Sequence, residues 1–339
     1  MRPRPGPLGP NLHAAREWYR ARLAETPGIV IIDGDSCDQP LTIRTRFARE
    51  DGILDQHFES FTKFNRNPAE IVVGDPLSAY LLETQLGSGY YSYYDPAPPD
   101  EWREARRDLA KLVRETCWQS QRWARPLDTE RQVVARYPEA PEVLRWRDVR
   151  GQFDPAKHTK IAWLSDSGLL SCRDWLREIA TEGKPGIVWC GGVEFGHRLA
   201  AQEGLAYYGR LGQSAGGIGL HEAPAGKSIV CSWQANKAGF NLQAWPRVLI
   251  AQPPPSAKWL EQIIGRSHRA GQTEPVIVDL LLGSGGAIDA FESAVREAGF
   301  VHRTLGLTEK ILRARIERAR PRITKSNRFR WASRVKTDR

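Results

Sequence analysis

Short apolar runs alternate with amphipathic helical patterns in the second half of the chain. The apolar runs predict buried strands at 186–190, 205–209, 228–233, 247–252 and 276–282. Helical patterns cover about 165–180 and begin again near Glu194 and Ser256. Strands that alternate with helices in this way form a parallel sheet. The sequence therefore predicts an α/β fold, in which helices cover both faces of a parallel sheet.

The first 160 residues predict a less regular, mainly helical extension. Helical patterns lie at 11–26, 51–64, 100–123 and 128–136, and short strands at 28–32 and 71–74. Four tyrosines at near-alternate positions, 90, 91, 93 and 94, predict a further strand with one buried face. Packing within a sheet and stacking on nucleic-acid bases are both compatible with these four rings.

Composition places the chain among soluble globular proteins. Its 339 residues are enough for about two domains. No apolar run reaches the roughly 18 residues of a membrane span, and the N-terminal segment lacks the apolar core of a signal peptide. The five cysteines form neither a close pair nor a CxxC motif, so they indicate no disulfide framework or zinc site. We expect a cytoplasmic protein without a membrane partner.

Positive charge is concentrated at the C-terminal end. The chain carries 49 Lys and Arg against 40 Asp and Glu, a net charge of +9. Residues 301–339 alone hold 13 basic and three acidic residues, a local net charge of +10, so residues 1–300 are near −1. Such a segment is typical of proteins that contact nucleic-acid phosphates. A solvated tail without a dedicated partner is the alternative.

A glycine-lysine-serine sequence, Gly226-Lys227-Ser228, does not qualify as a phosphate loop. A phosphate loop needs a glycine five positions earlier, where His221 stands, and it must open a helix. Here the sequence runs into a predicted strand instead. The chain also has no acidic DExx box, so we expect it to lack the parts that hold ATP phosphates and Mg²⁺.

Two arginines stand out in the segment QIIGRSHRAGQ, at residues 262–272. Arg266 and Arg269 are three residues apart and share one face if the segment is helical. Two planar guanidinium groups on one face can hold the oxygens of a polyphosphate. A surface helix with both arginines in salt bridges is equally compatible with this spacing.

Three segments carry a resemblance to a known family. QIIGRSHRAGQ resembles motif VI of superfamily 2 helicases, in the form found in the Swi/Snf-type branch and its bacteriophage relatives. ANKAGFNLQ, at residues 235–243, resembles motif V, and GIVWCGGVEFG, at 186–196, resembles motif IV. The similarity extends from about Tyr90 to Leu312, about two thirds of the chain.

The resemblance implies a RecA-like fold, that of the second helicase lobe, and a role for individual residues. Arg266 and Arg269 would be the catalytic arginine fingers that reach the γ-phosphate of ATP. Gln262, Gly265, His268 and Gly239 would bind or position the nucleotide. The implied nucleic-acid contacts are Asn241, Arg313, Arg315, Arg318 and Arg320.

The chain departs from the family because the motifs of the first helicase lobe are missing. We therefore expect three segments: an N-terminal extension at 1–84, with a remnant of that lobe as one possible origin, a helicase C-terminal lobe at 85–312 and a basic tail at 313–339. The resemblance implies DNA as a partner and a separate polypeptide that holds ATP and Mg²⁺. This chain would then be one half of an ATP-hydrolysing helicase and not an autonomous enzyme. A catalytically inert nucleic-acid-binding module is the competing hypothesis.

Overall fold

The chain folds into two units whose segments interleave along the sequence. The computed structural model describes residues 12–26, 37–123, 126–236 and 239–319. The first unit, here the sheet unit, takes its described residues from Met1–Arg46, Cys172–Leu281 and Asp289–Arg320. The second, here the helical unit, takes them from Phe47–Ser171 and Leu282–Ile288. The strand predicted at 28–32 lies outside the described residues.

Seven strands form one sheet in the spatial order β5-β6-β4-β7-β8-β1-β9. Their bounds are β1 Leu41–Phe47, β4 Gly186–Cys190, β5 Ala206–Tyr208, β6 Ile229–Ser232, β7 Arg247–Ile250, β8 Val276–Leu282 and β9 Arg315–Glu317. Strands predicted at 186–190 and 276–282 have these same bounds. β1 comes from the predicted N-terminal extension and β9 from the predicted tail, so all three predicted segments contribute to this sheet.

The sheet is parallel and buried on both faces. β4 pairs in parallel with β6 and β7, with Ile187 opposite Ile229 and Val248. Every residue of β4 and β6 is buried. Burial on both faces explains why these strands read as continuous apolar runs and not as alternating patterns. The predicted α/β fold with a RecA-like parallel sheet and helices on both faces is confirmed.

Helices of the sheet unit cover the two faces. They are α1 Leu12–Glu25, α8 Ser167–Thr181, α9 Val193–Glu203, α10 Trp233–Asn236, α11 Ala257–Ser267, α12 Gly285–Leu305 and α13 Lys310–Arg313. Side chains of α11 and α12 pack against Val276, Val278 and Leu280 of β8 in one core. Trp189 of β4 is fully buried in this core.

The helical unit contains the remaining elements. They are α2 Gly52–Phe64, α3 Pro76–Gly87, β2 Tyr90–Tyr94, α4 Asp100–Ser120, α5 Glu130–Arg136, α6 Pro141–Val149, α7 Pro155–His158 and β3 Thr159–Trp163. β2 and β3 pair antiparallel. The predicted tyrosine strand is therefore confirmed as β2, with Tyr90 buried and the other three tyrosines half-buried.

The strand predicted at 71–74 is wrong. The structure places only an isolated bridge there, between Val72 and Arg66. The side-chain oxygen of Asn67 accepts hydrogen bonds from the backbone N–H groups of Ala69 and Ile71, both at 2.9 Å. Because the asparagine side chain takes these donors, the segment folds as a local turn instead of a strand ladder.

The five cysteines are buried and free of disulfides. Burial raises the pKa of the Cys117 thiol to about 11. The same cause raises the pKa of the Cys172, Cys190 and Cys231 thiols further still. Within the described segments, no helix is long and apolar enough to cross a membrane.

A buried carboxylate joins β1 to the rest of the sheet unit. Asp279 of β8 is 1% exposed and accepts hydrogen bonds from Arg44 at 2.8 and 2.9 Å and from Arg46 at 2.7 Å. The indole N–H of Trp175, on α8, donates to the same carboxylate at 2.8 Å. Arg46 also binds Glu178, and this hydrogen bond holds the pKa of Glu178 below its usual range.

Replacing Asp279 with Asn should destabilise the protein strongly. The variant keeps the shape of the side chain but leaves two guanidinium groups without their buried counter-charge. We expect a loss of about 3–5 kcal/mol in the free energy of unfolding, measured by urea denaturation. Glu70→Gln is the control, because it breaks an exposed pair with Arg66 and should cost under about 1 kcal/mol. Equal losses in the two variants would contradict this role for Asp279.

Candidate functional site

The two segments that resemble motifs V and VI lie side by side in the sheet unit. The backbone N–H of Leu242 donates to the Arg266 carbonyl oxygen at 3.0 Å. The Ser267 hydroxyl donates to the Leu242 carbonyl at 3.3 Å. The Gln272 side chain donates to the Gln243 carbonyl at 2.9 Å. These bonds fix the loop at 239–243 against the end of α11.

Helix α11 presents one buried face and one accessible face. Its buried residues are Ala257, Leu260, Ile263, Ile264 and Ser267. This spacing of three and four residues is that of a single helical stripe. Gln262, Gly265 and Arg266 lie on the other side and are half-buried. Arg269 lies outside the helix, which ends at Ser267, so the two arginines do not share a face of α11 as their spacing predicted.

Arg266 is held by neutral oxygen atoms. Its Nε donates to the Gln262 carbonyl and its Nη1 to the Phe240 carbonyl, each at 3.2 Å. Burial lowers the pKa of Arg266, and the positive charge of Arg269 lowers it further. Two like charges are therefore close enough to repel each other, which favours a bound anion between or beside them.

Arg269 is also held by a neutral group, since its guanidinium donates to the side-chain oxygen of Asn241. Neither Arg266 nor Arg269 forms an ion pair with a carboxylate in the described part of the chain. Other arginines of this unit do, for example Arg173 with Glu203 at 2.6 Å and Arg247 with Glu182 at 2.7 Å. The structure thus does not show the salt-bridged surface helix that was the alternative reading of this pair.

A tight turn after α11 depends on three residues that the sequence analysis did not select. Gly271 has a φ of +89°, and the Gln243 side chain donates to the Ala270 carbonyl inside this turn. The Gln272 side chain also donates to the Ser267 carbonyl at 3.0 Å and accepts from the backbone N–H groups of the next two residues. The glycine-glutamine pair that ends the segment was the available signal.

His268 is directed inward. It is 2% exposed, and its Nε2 lies 2.8 Å from the carbonyl oxygen of Gln39, so this nitrogen is the donor. The histidine therefore ties the site to the segment that leads into β1. A role for His268 in nucleotide binding stays a prediction.

The two predicted site glycines differ in their surroundings. Gly239 has a φ of +92°, a conformation that favours glycine, and a Cβ there would meet no atom within 4 Å. A Cβ on Gly265 would lie 3.7 Å from Lys310, an ordinary contact. Gly239 thus leaves the backbone of its loop open to approach, as a phosphate contact would need.

The predicted nucleic-acid contacts are less uniform. Arg313 is exposed. Arg315 pairs with Glu317 at 3.0 Å, and Arg318 pairs with Glu292 at 2.6 Å. Arg320 lies outside the described residues. Arg315 and Arg318 would have to exchange their carboxylate partners for phosphates in order to bind nucleic acid.

The Gly226-Lys227-Ser228 sequence leads into a strand, as predicted. β6 begins at Ile229, directly after the serine. The Ser228 hydroxyl oxygen accepts a hydrogen bond from the backbone N–H of Gly186 at 3.0 Å, in the neighbouring strand. Among the residues with a described position, no group of three or more His, Cys, Asp or Glu side chains could hold a metal ion.

Comparisons with known proteins give a limited result. No family model matches the chain, and no curated protein matches it. One similar solved structure is the C-terminal part of the Fun30 ATPase domain. That likeness has a TM-score of 0.43 and 10% sequence identity, and it covers 76% of this chain and 90% of the other.

Replacing Gly271 with Ala should disturb the turn that holds Arg269. The substitution places a side chain at a positive φ, and its Cβ would lie 3.0 Å from the Gln243 side chain. We expect a loss of about 1–2 kcal/mol in the free energy of unfolding, measured by urea denaturation. Gly226→Ala is the matched control, because a Cβ there meets no atom within 4 Å and the φ is not positive. If Gly271→Ala is as stable as this control, the turn does not require glycine at position 271.

Proposed function

We propose that this chain is the C-terminal lobe of a superfamily 2, Swi/Snf-like DNA-dependent ATPase or helicase, and that a second polypeptide supplies the first lobe. The observation that carries the proposal is the pair Arg266 and Arg269, which are half-buried, close to each other and, among the described residues, held by neutral oxygens. A bound polyphosphate stabilises such a pair, because the anion relieves the repulsion between the two guanidinium groups and accepts their remaining hydrogen bonds.

The chemistry follows from where negative charge develops during phosphoryl transfer. Charge spreads over the γ-phosphate oxygens in the transition state, and arginines placed there accelerate the reaction by about 10³ to 10⁵. Arg266 and Arg269 take this role in the proposal. Gln262, Gly265, His268 and Gly239 position the nucleotide and the arginines.

The remaining parts of the ATP site must come from another polypeptide. The partner lobe supplies the phosphate loop and the carboxylates that hold Mg²⁺, because Gly226-Lys227-Ser228 opens a strand and not a helix. Asn241 links the site to DNA through the loop that begins at Gly239. A bacterial or phage-infected cytoplasm is the location that we propose for this assembly.

A catalytically inert nucleic-acid-binding module is the second candidate. Its support is the basic segment at 320–339, which carries eight Lys and Arg and one Asp, a net charge of +7. A module of this kind would bind DNA through phosphates alone and would not need the arginine pair. The two candidates therefore differ in their response to substitution of Arg269.

Arg269→Ala should abolish the DNA-stimulated ATPase activity of the reconstituted pair of lobes. We expect a fall of about 10³-fold or more in turnover, with DNA affinity nearly unchanged. The measurement compares this chain alone, the partner lobe alone and the mixture, each with ATP, Mg²⁺ and DNA.

Arg296→Ala is the matched control for that experiment. Arg296 lies on α12 of the same unit, and within the described segments it donates only to the Ser293 hydroxyl, so its loss should leave turnover unchanged. Equal turnover of Arg269→Ala and wild type, or full activity of this chain alone, would refute the split ATP site. DNA binding without ATPase activity in any mixture would favour the inert module.

Removing residues 320–339 should flatten the salt dependence of DNA affinity. Truncation after Ala319 keeps β9 and removes a net charge of +7. Each phosphate contact contributes about 0.9 to the slope of log affinity against log salt concentration, so the slope should decrease by up to about 6. Phe329→Ala with Trp331→Ala is the control, because it keeps all charges. An unchanged slope after truncation would show that the segment makes no phosphate contacts.

A further inference from the structure

A line of basic residues in the helical unit ends in an exposed tryptophan. Arg107, Lys111, Arg114 and Trp118 of α4 follow each other at spacings of four, three and four residues, which places them on one side of the helix. We call these four residues the α4 stripe. At 1.5 Å per residue the stripe is about 16 Å long, a length that covers several phosphates of an extended strand.

The cations of the α4 stripe have no carboxylate partners among the described residues. Other arginines of the helical unit do: Arg103 pairs with Asp100, Arg106 with Glu130, and Arg145 with Glu104 and Asp108. Arg103 and Arg106, which lie outside the stripe, are therefore neutralised within the fold. Glu115 lies beside the stripe and leaves it with a net positive charge.

Trp118 lies outside the core of this unit. The buried side of α4 packs Leu109, Val113 and Cys117 against Val133 and Val143. Trp118 is 69% exposed, and Trp123, in the turn that follows α4, is 40% exposed. A large indole left in water beside guanidinium groups is the arrangement with which proteins stack the bases of a single strand.

We propose that the α4 stripe binds single-stranded nucleic acid. Its three cations pair with successive backbone phosphates, and the indole of Trp118 stacks on an unpaired base. A duplex offers phosphates to the three cations, but its bases are stacked on one another and leave no free face for the indole of Trp118. The proposal does not rest on the ATP site, since binding requires neither nucleotide nor a partner lobe.

Two sets of substitutions in the full chain test the stripe against general electrostatic attraction. Arg107→Gln, Lys111→Gln and Arg114→Gln together form the stripe variant. Arg131→Gln, Arg136→Gln and Arg147→Gln together form the control. The control arginines are exposed, lie on α5 and α6 and form no ion pair among the described residues. Both triple variants remove three positive charges from one unit, and of the stripe cations Arg107 and Lys111 are exposed and Arg114 is half-buried.

Fluorescence anisotropy of a labelled oligothymidylate of about 15 nucleotides, without ATP, gives the affinity. The slope of log affinity against log salt concentration should fall by about 2 in the stripe variant and stay unchanged in the control. Trp118→Ala should weaken binding by about 5- to 100-fold, and Trp118→Phe should restore most of it. Thermal unfolding of each variant confirms that the chain still folds.

Three competitors identify the ligand. Oligouridylate and oligothymidylate should both bind through the stripe. The ratio of their affinities shows whether the stripe prefers RNA or DNA. A matched duplex and phosphatidylserine vesicles should compete poorly and show no dependence on Trp118. The proposal is overturned if the control variant weakens binding as much as the stripe variant, if Trp118→Ala has no effect, or if the vesicles displace the oligonucleotide through Trp118.

Discussion

The sheet unit depends on one buried charge, the carboxylate of Asp279 in the middle of β8. A carboxylate inside an apolar sheet is tolerated only when several donors reach it. Arg44 and Arg46 of β1 and Trp175 of α8 provide these donors. This requirement favours the position of β1, from the N-terminal part of the chain, next to β8 in the sheet. β9 in turn pairs with β1, so the last described strand also depends on that carboxylate.

Arginines that stabilise the fold and the arginines of the candidate site differ in their partners. Where guanidinium groups stabilise the fold, as at Arg46 and Arg173, a carboxylate lies within 3 Å. Arg266 and Arg269 are instead held in place by carbonyl and amide oxygens, which orient a guanidinium without neutralising it. Placement without neutralisation keeps the positive charge available for a ligand. The same contrast within α4 separates Arg103 from Arg107.

Sequence patterns predicted the buried strands well because these are continuous apolar runs, as at 186–190 and 276–282. β1 was not predicted, although its buried residues Leu41, Ile43 and Thr45 alternate along the strand. The partner of Arg44 and Arg46 is Asp279, more than 230 residues away in sequence. No strand forms at 71–74, because the Asn67 side chain accepts the backbone N–H of Ile71 and only an isolated bridge follows at Val72. The spacing selected Arg266 and Arg269, but α11 ends at Ser267 and does not align them. Phe240 and Asn241, which hold the pair, and Glu292, which binds Arg318, lie 26 to 28 residues away in sequence.

Burial of all five cysteines has a practical consequence for work on this protein. Only the thiolate reacts with alkylating agents or oxidants. At neutral pH a thiol such as Cys117, with a pKa near 11, has a thiolate fraction of about one in ten thousand. A cysteine introduced at an exposed position such as Arg313 therefore reacts first. Cys117, Cys172, Cys190 and Cys231, whose pKa is raised by burial, compete poorly for a label at that position.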